Sequence, residues 1–208
     1  MDAAKIGLSQ KELELVSVAD WILTKNAILQ KVNQLLGSLQ VKQQQYLKFH
    51  SVKFTGEVSN PMAIGYSPKI SKGENYKGLP YLILDYPRIF DHRTIFAIRT
   101  MFWWGNFFSV TLQLSGIYKK EAEEKLISSY RALGEKGYYC CKNEDQWEHN
   151  FQTDNYVLVS ELNKNHFENL IREKSFIKLA NKIPLQKWND AEEMLLIYFK
   201  QIIDLLAD

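Results

Sequence analysis

Two cysteines in 208 residues are far too few for a disulfide scaffold, and these two, Cys140 and Cys141, are adjacent. Neighbours in sequence rarely bridge without strain, so both thiols are expected to be reduced. Five prolines and ten glycines exclude collagen-like and proline-rich chains. No two glycines are separated by a single residue, so the Gly-x-Gly dinucleotide fingerprint is absent. Gly73 and Gly78 have the spacing of a phosphate-binding loop, but Leu79 stands where that loop requires lysine. There is neither a Gly-x-Ser-x-Gly elbow nor a His-Glu-x-x-His pair.

An excess of charge of one sign is missing too. The 26 Lys and Arg residues face 24 Asp and Glu, leaving a formal +2. That balance, with no RNP pattern around the aromatics, disfavours nucleic acid as a partner. No uncharged apolar run reaches the ~18 residues of a bilayer span. The nearest candidate, Met194 to Leu206, contains Lys200 and Asp204. The first ten residues hold no apolar stretch of the kind that directs secretion. A cytoplasmic protein that does not enter membranes is the expectation. Cys140, Cys141, Glu144, Asp145, Glu148 and His149 fall within ten residues. Zinc sites, however, use cysteines two to four residues apart, and adjacent thiols do not readily fill two tetrahedral corners. No metal and no cofactor are expected, and this stretch reads as a solvated acidic loop.

What remains is an ordinary globular composition, 46% hydrophobic and 24% charged, at a length suited to one domain over 1–208. Residues 9 to about 49 read as helical. Ser9 and Glu12 have capping-box spacing, and Leu15, Val18, Ala19 and Ile22 recur at helical intervals, as do Ile28, Val32, Leu35, Leu36 and Leu39. A break near Thr24–Asn26 or at Gly37-Ser38 would give two antiparallel helices. Residues 55–80, rich in Gly, Pro, Ser and Asn, read as turns. Tyr81 to Tyr86 reads as a strand ended by Pro87. Ile95–Trp103 and Phe107–Ser115 form a hairpin around Trp104-Gly105-Asn106. Lys119–Leu133, Asn163–Lys174 and Asp190–Leu206 read as helices, Tyr156–Val159 and Phe176–Leu179 as short strands. The fold class is α+β: an antiparallel sheet built around the hairpin and packed against N-terminal and C-terminal helices.

The hairpin register sorts the chemistry. A three-residue loop puts Phe96, Ile98, Thr100 and Phe102 beside Phe108, Val110, Leu112 and Leu114 on one apolar face. The other face carries Arg99, Met101 and Trp103 beside Phe107, Ser109, Thr111 and Gln113. A two-residue loop would set Arg99 among Val110 and Leu112, where an unpaired charge is costly. Tyr81, Ile83 and Asp85 are expected to join the second face, with Asp85 in reach of Arg99.

Aromatic surface with a few convergent polar groups is how small-ligand sites are built. The leading expectation is therefore a non-catalytic binding module for a small anionic or aromatic ligand. Its site residues are Asp85, Arg88, Arg99, Trp103, Thr111 and Gln113. An alternative is an enzyme using Asp85, Asp91 or His92 as its acid or base. A third reading is an interaction protein acting through its terminal helices, with a homodimer as one form. An open second face favours the first two readings, and a covered one favours the third.

Overall fold

The structure, a computed structural model, describes residues 6–50, 52 and 67–207. Seven strands form one antiparallel sheet in the order β1-β2-β3-β4-β7-β5-β6. They are β1 (Lys69–Tyr76), β2 (Leu79–Phe90), β3 (Ile95–Trp103), β4 (Phe107–Ser115), β5 (Tyr139–Cys141), β6 (Tyr156–Leu158) and β7 (Phe176–Pro184). The helices are α1 (Gln10–Ser17), α2 (Ala19–Leu47), α3 (Gly116–Ser128), α4 (Tyr130–Glu135), α5 (Lys164–Glu173) and α6 (Ala191–Leu206). None of the helices in the described residues is long and apolar enough to cross a membrane.

Trp103 pairs with Phe107 and Phe102 with Phe108, so the loop has three residues and Arg99 stays off the apolar face. Gly105 accommodates the turn at φ +71°, a conformation that side chains disfavour. The apolar face carries Leu84, Phe96, Ile98, Phe102, Phe108, Val110 and Leu112 into the main core. Helices close that core with Leu36 and Leu39 of α2, Leu126 of α3, Phe167 of α5 and Phe199 of α6. Helices thus cover one face of the sheet, the two-layer solution to burying an amphipathic sheet.

Six elements differ from the sequence reading, among them β5 at Tyr139–Cys141, which it did not anticipate. The N-terminal helix breaks at Val18, which is extended at φ −104° and ψ 98°, not at Thr24–Asn26 or Gly37-Ser38. Gly37 lies inside one 29-residue helix, where burial of Val32, Leu36 and Leu39 outweighs its propensity cost of about 1 kcal/mol. The strand expected to end at Pro87 continues to Phe90. Tyr86 and Pro87 together oppose Ile98, a bulge where the missing proline N–H removes no ladder bond. Within the turn-rich 55–80, residues 69–76 form an edge strand; 55–66 lie outside the described residues. The helix expected over Lys119–Leu133 starts at Gly116 and divides at Ser129. The short strand at Phe176 extends to Pro184 and pairs with β4 along its whole length. Lys178 and Lys182 hide its period of two, in which Ile177, Leu179 and Ile183 face the core.

Candidate functional site

The second sheet face has its own packing. Ile83, Met101, Trp103 and Phe107 form one apolar cluster, and Cys141, Tyr156, Phe176 and Ala180 form another. Phe151 touches both and stacks on Tyr156 at 4.6 Å between ring centroids. Between these clusters lies a polar band. Asp85 stands opposite Arg99, Arg99 opposite Thr111, and Gln113 opposite Lys178.

Arg99 donates from Nε to Asp85 Oδ1 at 2.8 Å and from Nη2 to Oδ2 at 2.9 Å. The side chains are 12% and 9% exposed, so this is a largely buried, two-pronged ion pair. Its remaining arm, Nη1, lies 3.0 Å from His149 Nε2. Burial, with the charges of Lys178 and Arg99, holds His149 well below the ordinary imidazole value. A neutral ring is therefore available to accept from Arg99 at neutral pH.

His149 belongs to residues 142–155, which link β5 to β6 and strap this face. The Tyr76 hydroxyl accepts from the backbone N–H groups of His149 (2.8 Å) and Asn150 (2.9 Å). Gln146 Oε1 accepts from Gln113 Nε2 at 3.2 Å, and the Glu148 carbonyl accepts from Lys178 Nζ. Glu144, 91% exposed, turns outward to pair with Lys174, whereas Glu148 is partly buried, pairing with Lys77 and accepting from Asn150 Nδ2. The stretch expected to be a solvated loop is solvated on one side only, and it covers the polar band on the other. Among the described residues, no group of three or more His, Cys, Asp and Glu side chains has a metal-binding arrangement.

The structure gathers Asp85, Arg99, Thr111 and Gln113 beneath the strap. Thr111 is 5% exposed there. Trp103 is packed by Tyr76 and Phe107, and its indole donates to the Tyr76 carbonyl. Arg88 is drawn away to the Ser67 carbonyl at 3.0 Å. Asp91 and His92 lie in the exposed β2–β3 connection, where Asp91 Oδ1 accepts from the His92 backbone N–H. That geometry is a turn, remote from Asp85 in the ladder. Cys140 and Cys141 are free and buried, and burial pushes the Cys140 thiol up to about 12. His149 and Lys178 are the members of the band that the sequence did not reveal. His149 comes from a polar connection more than thirty residues beyond the hairpin, and Lys178 from a strand with a polar pattern.

Lys178 is 1% exposed, and a carbonyl holds its Nζ above the Tyr156 ring. Burial pushes its ammonium down to about 8; the Arg99 charge adds to the drop and Cys141 opposes it. The unfolded chain keeps this proton up to an ordinary value near 10.5. Between those values the unfolded state binds more protons, so this group makes stability rise with pH. The stability difference between wild type and Lys178→Met is expected to grow in favour of wild type by roughly 3 kcal/mol over that window. Urea melts of both proteins at a series of pH values measure it, and a flat difference refutes the assignment.

A second feature lies where the N-terminal helices meet the sheet. Leu8, Leu15 and Val16 from the α1 region face Trp21 and Ile22 of α2, Leu79 and Pro80 at the start of β2, and Trp104 of the β3–β4 loop. They bound an open apolar groove of about 800 Å³. Residues in α1 are exposed throughout. Its fold is local: Ser9 and Glu12 form a reciprocal capping box.

Comparison of the chain with protein-family models, with curated protein sequences and with solved structures finds no match.

Proposed function

We propose that this chain is a non-catalytic interaction module that docks a protein partner on α1 and the first turns of α2. One observation carries the reading. Of the fifteen large apolar side chains exposed among the described residues, nine lie between Ile6 and Leu23. Single exposed apolar residues are ordinary, whereas a contiguous set marks an interaction surface. The polar band is covered by the strap, which favours the interaction reading over an open ligand site. The chemistry of the segment also points to protein. Residues 6–25 hold two basic and three acidic groups, whereas helices that lie on membranes are rich in Lys and Arg.

If these side chains serve a partner, the isolated protein does not depend on them. Ile22→Glu is expected to leave the melting midpoint of dilute protein within about 2 °C, as surface changes do. Leu36→Ala, about four turns further along the same helix and fully buried, is expected to cost about 2–5 kcal/mol. Equal losses from both would make the segment part of the monomer core and overturn the reading.

A second reading has its own observation. The strapped band holds Arg99 and Lys178, while its one ion pair uses a single carboxylate, Asp85. That excess of positive charge suits a small anion, taken up when residues 142–155 lift, and Arg is the residue best shaped to hold one.

A further inference from the structure

We infer that the partner that closes the N-terminal groove is a second copy of this chain, joined about a two-fold axis. This rests on the interaction reading above and commits it to one occupant.

Helix α2 packs on β1, β2 and α6. Its buried stripe runs through Leu47, Gln43, Leu39, Leu36 and Val32 at intervals of three and four. The same spacing continues through Leu29, partly buried, to Ile22, which is about half exposed. Burial fades along one continuous face. The exposed end is an extension of the core stripe that the other described residues leave about half open.

The segment is also self-complementary. Leu15, Val16 and Ile22 line the groove, while Leu13 and Leu23 of the same helices do not line it and are at least half exposed. One short stretch thus offers a groove and an apolar ridge, the requirement for an interface in which each copy presents the same patch. Charge does not oppose the pairing. Lys11 and Lys25 stand against Glu12, Glu14 and Asp20, and Lys25 is already tied to Glu74 at 2.5 Å.

The area is adequate. A buried aliphatic side chain contributes about 60–120 Å² of apolar surface. The nine exposed residues, each more than two-fifths exposed, then offer on the order of 500 Å². A stable interface buries about 800 Å² per partner, of which about 56–65% is apolar. The segment supplies that apolar share.

Sedimentation velocity on the full chain, from sub-micromolar to tens of micromolar, tests the inference. The expected result is a species of twice the 24.3 kDa chain mass at the upper end. In Trp21→Glu/Ile22→Glu the dimer should weaken by about 30-fold or more, with helical circular dichroism unchanged. A dimer that persists in this variant lies elsewhere and overturns the inference. A chain that stays monomeric also overturns it, and the quenching of Trp21 then separates the two readings. Trp21 emission, taken as the difference from Trp21→Phe, is expected to be open to acrylamide if the groove awaits another protein. If the same emission is shielded in a monomer, the groove is closed by the chain itself and the interaction reading fails as well.

Discussion

Arg99→Met is expected to lower the stability of this protein by about 3–5 kcal/mol, the range for breaking a buried ion pair from one side. For a chain of this size that is a fall in melting midpoint of roughly 6–20 °C. The reason lies in what the substitution leaves behind. Asp85 receives both prongs of the guanidinium, at 2.8 and 2.9 Å, on a face where its side chain is 9% exposed. Methionine keeps much of the apolar stem but abandons a carboxylate away from water. It also removes the donor facing His149 Nε2, and so loosens the strap at its centre. Removing both charges is a different experiment. Asp85→Leu/Arg99→Met leaves no orphaned ion and is expected to recover much of the loss, because apolar replacements of buried pairs are often neutral. The four proteins form a double-mutant cycle whose coupling energy should exceed 1 kcal/mol. A loss below about 1 kcal/mol for Arg99→Met alone would show that solvent already reaches Asp85. The same melts test the anion reading. Phosphate or a small carboxylate that raises the wild-type midpoint but not that of Arg99→Met supports a site beneath the strap.

The Arg99 position shows what was legible in the sequence. A tight loop between Ile95–Trp103 and Phe107–Ser115 leaves two registers, and the cost of an unpaired buried charge chooses between them. The structure has the register so chosen, with Asp85 opposite Arg99. The cover over that face was not legible. It comes from residues 142–155, whose Glu144, Asp145 and Glu148 read as a solvated run. The fastening groups are backbone N–H groups on Tyr76, a backbone carbonyl on Lys178 and one imidazole on Arg99. None of these leaves a local periodicity. Strand β7 was half legible for a related reason. Lys178 and Lys182 point to the strapped face, where a carbonyl and aromatic rings receive their cations, and Lys178, although charged, holds a buried position. The break at Val18 carries no Gly or Pro. Helical spacing runs straight through it, because the apolar stripe serves the groove on both sides of the break.

Two truncations separate the part of the N-terminus that builds the fold from the part that faces outward. A chain beginning at Ala19 is expected to fold cooperatively, with a melting midpoint within about 2 °C of wild type at low concentration. Helix α1 buries no side chain, and eight residues are too few to hold a helix by propensity, so its capping box organises it without supporting the core. A chain beginning at His50 is expected to be unfolded or aggregated. That deletion strips Val32, Leu36, Leu39 and Leu47 from the sheet and from α6. At about 1.5–3 kcal/mol each, these four contribute up to roughly 6–12 kcal/mol, comparable with the whole stability of an ordinary domain. It also removes the links to α6 through Lys42–Glu192, Ser38–Glu192 and Tyr46–Asp204. Urea unfolding followed by tryptophan emission reads both proteins. A cooperative transition in the chain from His50 would make α2 an appendage, and a loss of several kcal/mol in the chain from Ala19 would place α1 in the core. With the expected pair of results, α2 belongs to the core from Val32 onward, and residues before Ala19 are dispensable for folding.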